Sequence, residues 1–120
     1  MEEKEFGKEW KNLIFNGFFA LVTLLIPAFF YTNIILATVL LVVLTIIGLI
    51  KWKSWVTFVL FIFVALWGPV SEMLCIHLGV WNYSHPNFYT IPIWLSLVWG
   101  NAACFIYQTA LEIKKFGIKK

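Results

Sequence analysis

Residues 34–50 read IILATVLLVVLTIIGLI, an apolar run interrupted only by Thr38, Thr45 and Gly48. An α-helix rises about 1.5 Å per residue, so this run reaches almost across the roughly 30 Å hydrocarbon core of a bilayer. It lacks the strict alternation of a membrane β-strand. Because lipid offers no hydrogen-bond partners to the backbone, the run predicts a transmembrane α-helix.

Three further apolar runs of similar length surround this helix. They predict membrane spans at residues 13–31, 55–78 and 92–113, in addition to 34–50. An amphipathic charged lead occupies residues 1–12, an outer loop occupies 79–91, and a basic tail occupies 114–120. The sequence therefore predicts a single all-α domain over residues 1–120, a polytopic bundle of four transmembrane helices.

The composition supports this class and excludes others. Hydrophobic residues make up 62% of the 120 residues and charged residues only 12%, which excludes a soluble monomer. The four spans leave no room for a nucleotide-binding fold or a nucleic-acid module, so no nucleic-acid partner is predicted. Cys75 and Cys104 lie within apolar runs, and we interpret both as free thiols.

The lysines predict the orientation. All of them lie in the end segments or in the break at residues 51–54, and neither of the other two connections carries a Lys, Asp or Glu. Cytoplasmic segments collect positive charge. We therefore expect an integral protein of a plasma or inner membrane with both termini cytoplasmic (N-in/C-in); the lysines concerned are Lys4, Lys8, Lys11, Lys51, Lys53, Lys114, Lys115, Lys119 and Lys120.

Glu72 is the only carboxylate deep within a predicted span, because Glu112 lies at the cytoplasmic end of the fourth. An ionisable side chain in hydrocarbon is costly, and it usually marks a functional site with a polar partner. Its helical neighbours Gly68, Ser71, Cys75 and Gly79 share one small and polar face, which should point inward. Glu72 is accordingly the first candidate for a residue that exchanges protons; the alternatives are a side chain that extends to the outer headgroups and one held in a structural hydrogen bond.

A second polar stripe follows the fourth span, at Asn101, Cys104, Gln108 and Glu112. Such amides bind between helices, either within a site or simply as packing contacts. We predict Asn101 to be the first partner of Glu72, which makes Glu72 and Asn101 the candidate catalytic residues. For Gln108 a packing role is the alternative to ligand binding.

The outer loop, GVWNYSHPNFYTI at residues 79–91, is aromatic and uncharged, which suggests that it lies at the interface or folds over the mouth of the bundle above Glu72. His85 could exchange protons with Glu72, bind an anionic headgroup, or have no role. The predicted ligand-binding side chains, from this loop and the adjoining helices, are Ser71, Trp81, Tyr83, His85, Trp99 and Gln108.

No metal site and no cofactor are predicted. Glu72, Cys75 and His77 are close in sequence, but His77 points roughly 140° away from Glu72 on a helix. The sequence contains no glycine-rich phosphate loop, HExxH or CxxC pattern. Classical hydrolase and kinase chemistry is thereby excluded.

The run Gly79-x-Trp81-x-Tyr83, then Pro86 and Ile91-Pro92-Ile93, resembles carotenoid-pathway membrane proteins of the lycopene-cyclase domain type. That resemblance covers about 15 positions and implies a small helical unit, often paired, that acts on long polyenes. An acidic pair follows the Ile-Pro-Ile stretch in that family, whereas Trp94 and Leu95 follow it here. No catalytic residue carries over from the family.

Three functions agree with these features. In the first, a cavity at Glu72 binds a lipophilic or amphiphilic small molecule and transforms it, with Glu72 as general acid or base on an isoprenoid or lipid. In the second, two copies form a proton-coupled transporter, with a layout similar to the small multidrug transporters. In the third, the chain is an accessory subunit. The expected partners are membrane lipids, the small molecule and a second copy of the chain.

Overall fold

The computed structural model describes residues 3–116, with side chains from residue 7 onward. It contains four helices: α1 (Glu3–Phe30), α2 (Ile34–Trp52), α3 (Trp55–His77) and α4 (Trp94–Lys115). The predicted all-α fold with four helices is thus confirmed. The sequence-based predictions for Glu2, Lys119 and Lys120 fall outside the described residues.

The short turns between the first three helices are closed by side-chain caps. Asn33 accepts a hydrogen bond from the backbone N–H of Leu36 (3.1 Å), and Ser54 accepts one from Thr57 (3.1 Å). Both are residue types favoured at helix N-termini. Before these turns, α1 begins at Glu3, so much of the charged lead is part of the first helix.

The helices α1 to α3 are long and apolar enough to cross a membrane, over Gly7–Phe30, Ile34–Trp52 and Trp55–His77. The helix α4 is less apolar, and it contacts each of the other three. Its polar stripe is buried as predicted, because Asn101, Cys104, Gln108 and Glu112 are all at most 7% exposed. The most polar helix is therefore the one that its neighbours shield.

The helices run alternately up and down. In the first half of α1, Asn12 accepts a hydrogen bond from Lys51 near the end of α2 (3.4 Å), and Glu9 lies 3.5 Å from Lys115 at the end of α4. The start of α1, the α2–α3 turn and the end of α4 consequently lie together. We call this the lysine end, and we call the opposite end, which carries residues 78–93, the loop end.

The exterior is apolar over most of its length. The side chains of Phe29, Ile35 and Trp55 are all more than 70% exposed. A soluble monomer rarely exposes such a surface, whereas a hydrocarbon environment accommodates it. The fully buried side chains instead include several polar ones, namely Asn16, Thr57 and Asn101.

Candidate functional site

Glu72 is held by two aromatic hydrogen-bond donors at the loop end. The Tyr83 hydroxyl donates to Oε1, and the Trp99 indole N–H donates to Oε2. The three residues come from α3, the loop and α4 respectively, and all are partly buried. Tyr83 and Trp99 thus provide the polar environment that the sequence predicts for Glu72. Both are among the predicted ligand-binding residues.

Gly68 makes room for the Trp99 ring. It is buried on α3, one turn before Glu72, and a methyl group at its Cα would overlap the Trp99 indole. The ring therefore packs directly on the α3 backbone, and its N–H reaches the carboxylate one turn further along. This explains why a small residue stands four positions before Glu72.

The loop delivers Tyr83 through a compact local fold. Phe88 and Ile91 exchange backbone hydrogen bonds, and the Asn87 side chain accepts one from the backbone of Ile93 (2.7 Å). Ile91 is buried in the core at 1% exposure, which anchors the loop to the bundle. The loop is thus attached to the bundle at Ile91, whereas most of residues 79–90 are exposed.

The two donors differ in what they permit at Glu72. An indole N–H can only donate, so Oε2 must act as an acceptor. A phenol can donate or accept, so Tyr83 can stay bonded whether Oε1 carries a proton or not. Burial, together with the hydrogen bond and the charge of Glu72, raises the pKa of Tyr83 above its ordinary value. Tyr83 therefore stays neutral near pH 7 and can remain hydrogen-bonded to Oε1.

Two openings adjoin these donors. Tyr83 lines a cavity of about 330 Å³ at the loop end, which we call the outer cavity; its lining is completed by Tyr31, Asn82, Ser84, His85, Pro92 and Trp94. Trp99 lines an apolar groove of about 460 Å³ between α3 and α4, which we call the α3–α4 groove; its lining is completed by Leu60, Val64, Ala102, Ala103, Ile106, Tyr107 and Ala110. A single carboxylate thus bonds one residue from each opening.

Asn101 is not the partner that we predicted for Glu72. Its Nδ2 donates to Thr23 of α1 (3.2 Å), and its Oδ1 lies 2.7 Å from the hydroxyl of Thr45 of α2. Residues two positions apart on a helix point roughly 200° apart. Because Trp99 faces α3, Asn101 faces α1 and α2, where it links three helices.

Within the described part of the chain, none of the other predicted ligand-binding residues forms a hydrogen bond with Glu72. The exposed Ser71 donates to the Trp67 carbonyl of its own helix (2.9 Å), so it needs no partner across the bundle. The exposed His85 contacts Ser84 (3.0 Å) and packs edge-on against Tyr31. Trp81 is 44% exposed.

Gln108 lies toward the lysine end. Its Nε2 donates to the Thr57 hydroxyl (2.7 Å), 15 residues before Glu72 on α3 and so about 22 Å away along the helix. This hydrogen bond joins α4 to α3 through two buried side chains. The geometry corresponds to the packing alternative for Gln108.

Sequence reasoning missed a buried carboxylate at the lysine end. Glu9 is 6% exposed and Glu112 is 5% exposed, and Lys115 lies within 3.5 Å of both. We had assigned Glu9 to the charged lead. A signal was present, since Glu9, Asn12, Asn16 and Thr23 follow one another at helical spacing along one face of α1.

The described residues were also considered as possible metal ligands. Within residues 3–116 no three His, Cys, Asp or Glu side chains come together as a metal site would need. Cys75 and Cys104 are both free thiols, as predicted.

Comparison with known proteins adds no relatives. No family model matches the chain, and no curated protein and no solved structure matches it either.

Proposed function

We propose that this chain is a small multi-pass membrane protein that binds a lipophilic or amphiphilic molecule at Glu72. The observation that carries the proposal is the double hydrogen bonding of one carboxylate, by Tyr83 from the polar outer cavity and by Trp99 from the apolar α3–α4 groove. A molecule with a polar head and an apolar tail matches the two openings.

The polar head belongs on the loop side of Glu72. Tyr83 contributes a hydroxyl to the outer cavity, and the buried Trp94 indole N–H, which also lines it, has no hydrogen-bond acceptor among the described residues. A head that can donate to Glu72 and accept from Trp94 satisfies both. A hydroxyl group does this, whereas an anionic head would be repelled by the carboxylate.

The apolar tail belongs in the α3–α4 groove. Alanines 102, 103 and 110 leave a depression between larger side chains, and nearly all of the lining is apolar. Its volume of about 460 Å³ lies within the roughly 300–1,000 Å³ of small-molecule sites. A long hydrocarbon or polyene chain fits such a depression, in line with the resemblance to carotenoid-pathway proteins.

The membrane placement follows from the two ends. The apolar α1, α2 and α3 cross the bilayer, and α4 crosses with them because it extends from the loop end to the lysine end beside α1. The lysine end faces the cytoplasm by the distribution of positive charge, which gives both termini cytoplasmic in a plasma or inner membrane. Glu72 then lies in the outer half of the bilayer.

Proton exchange at Oε1 would serve either activity open to this site. As an enzyme, Glu72 acts as general acid or base on the bound molecule, with Tyr83 and Trp99 holding the carboxyl group in place. As a proton-coupled transporter, Glu72 alternates between a proton and the substrate, and two copies enclose the pathway. Glu72→Gln separates them: lost product with intact binding indicates the enzyme, and lost proton-linked uptake indicates the transporter.

Binding itself is tested with three probes that share one tail. A long-chain alcohol, alkylamine and carboxylic acid are added to the protein in detergent, and retention is measured by native mass spectrometry. We expect the alcohol and the amine to be retained and the acid to be excluded. Glu72→Gln removes the charge but keeps the shape, so it should weaken amine binding about tenfold and admit the acid.

His77→Gln is the matched control. His77 is an exposed titratable residue at the end of the same helix and lines neither opening. This variant should keep the probe order of the unmodified protein. If all three probes are retained equally, or if Glu72→Gln leaves the order of their retention unchanged, then Glu72 is not part of the binding site.

A further inference from the structure

A second polar cavity lies at the lysine end, remote from Glu72. It has a volume of about 340 Å³ and is formed by side chains of α1, α2 and α4 and of the α2–α3 turn. Its lining consists of Lys8, Asn12, Lys51, Trp52, Ser54, Gln108, Leu111, Glu112 and Lys115. Both signs of charge therefore meet in one cavity.

The negative side of this cavity is a carboxylate with one unused oxygen. Glu112 is 5% exposed; its Oε1 accepts from Asn12 (3.1 Å) and lies 3.4 Å from Lys115 Nζ. Its Oε2 is buried and accepts no hydrogen bond from any described side chain. A buried carboxylate oxygen left in this state is costly, and a ligand N–H would relieve it.

The positive side is formed by two lysines that Glu112 does not bind. Lys115 lies 3.5 Å from Glu9, which balances its charge. Lys8 forms no ion pair with a described carboxylate, and Lys51 is positioned by Asn12 (3.4 Å) and by the face of Phe15. Two ammonium groups are thus available to an anion beside the unused oxygen of Glu112.

The geometry points to a site for a phosphoethanolamine group, with its phosphate between Lys8 and Lys51 and its ammonium on Glu112 Oε2. Neither a simple anion nor a simple cation satisfies both sides of the cavity, whereas a zwitterion does. The exposed Trp10 and Trp55 lie at the same end, where aromatic side chains mark the headgroup level of a bilayer. A phosphatidylethanolamine headgroup is the source that this position favours.

The lipid test uses nanodiscs of mixed composition. The protein is extracted from discs that contain equal amounts of phosphatidylethanolamine, phosphatidylcholine and phosphatidylglycerol, and the retained lipid is identified by native mass spectrometry. We expect phosphatidylethanolamine to be retained about tenfold more than the others. Phosphatidylcholine carries the same phosphate but has no N–H to donate, and phosphatidylglycerol has no ammonium.

Variants assign the preference to the cavity. Glu112→Gln should reduce retention of phosphatidylethanolamine to that of phosphatidylcholine, and Lys51→Gln should reduce it about tenfold. Lys114→Gln removes a charge at the same helix end without lining the cavity and should change nothing. Circular dichroism establishes that each variant is helical; if Glu112→Gln does not fold, the unmodified protein and Lys51→Gln decide the question.

Soluble O-phosphoethanolamine distinguishes a lipid from a free ligand. Retention of the lipid alone assigns the site to the headgroup in the bilayer, and binding of the soluble molecule without lipid preference assigns it to a soluble zwitterion. Equal retention of all three lipids with no binding of the soluble molecule would overturn the inference. A preference that survives in Glu112→Gln would overturn it as well, and neither result bears on Glu72.

Discussion

The Trp99 indole N–H donates to Glu72 across the interface between α4 and α3. Trp99 also lines the apolar α3–α4 groove, so one side chain joins the groove to the carboxylate. The loop residue Tyr83 binds the other carboxylate oxygen. Each member of this cluster can be altered separately, which makes the account testable in parts.

Trp99→Phe tests the indole hydrogen bond. Phenylalanine keeps an aromatic ring in the groove but leaves Glu72 Oε2 without its donor, so we expect a loss of about 1–3 kcal/mol in unfolding free energy. Retention of the long-chain alcohol should fall as well. Trp67→Phe, at a 59% exposed position on α3, is the matched control and should have little effect. Thermal unfolding in detergent measures both variants, and equal losses would contradict the proposed role of Trp99.

Gly68→Ala tests the close approach of α4 to α3. The added methyl group would overlap the Trp99 ring, so the ring must move away from Glu72. Overpacking of this kind costs about 1–3 kcal/mol. Gly17→Ala on α1 has open space around it and should be neutral or stabilise the helix slightly. If Gly68→Ala is as stable as Gly17→Ala and binds the probes as the unmodified protein does, then Gly68 is not needed for the close approach of Trp99.

Asn101→Ala tests whether Asn101 serves structure or ligand binding. Thr23 and Thr45 each lie 2.8 Å from a backbone carbonyl of their own helix, so both hydroxyls keep a partner when the amide is removed. We therefore expect a modest loss of about 1 kcal/mol in stability. The order of probe binding should not change. If the variant is fully stable but no longer prefers the long-chain alcohol to the acid, Asn101 is a ligand-binding residue.

Tyr83→Phe tests the environment of the phenol through its pH dependence. The folded-state pKa of Tyr83 is raised, so its stabilising contribution is complete below the ordinary value of 10.0 and is lost as the pH rises above it. In an ultraviolet absorbance titration, the unmodified protein should show a phenol that ionises above this ordinary value, and the variant should lack it. The difference between the unmodified protein and the variant isolates the late component. A difference that titrates at the ordinary value would show that Tyr83 is not held by Glu72.

The sequence predicted the helices well because apolar length is a local property. It also singled out Glu72, since a lone carboxylate in an apolar run is visible without any structure. It failed for Asn101, because the rotation of α4 about its axis decides whether Trp99 or Asn101 faces α3. Packing sets that rotation, and the close approach of the Trp99 ring to Gly68 is one of the contacts involved.

The lysine end shows a second limit. The charged lead was interpreted as a segment preceding the first span, yet the helix extends back to Glu3 and buries Glu9 against α4. Charge in a sequence usually indicates exposure. The burial of Glu9 is explained by Lys115, which lies beside it in the structure but more than one hundred positions away in the sequence.

Photocrosslinking of a long-chain alcohol with a diazirine in its tail shows whether a ligand held by Glu72 places its tail in the α3–α4 groove. The α3–α4 groove and a shallower apolar depression on α1, at Ile14, Gly17, Phe18 and Leu21, offer the tail two alternatives on the same molecule. We predict adducts concentrated at Ala102, Ala103 and Ile106 that decline in Glu72→Gln. Adducts spread equally over the groove and α1, or unaffected by that substitution, would contradict a ligand held by Glu72.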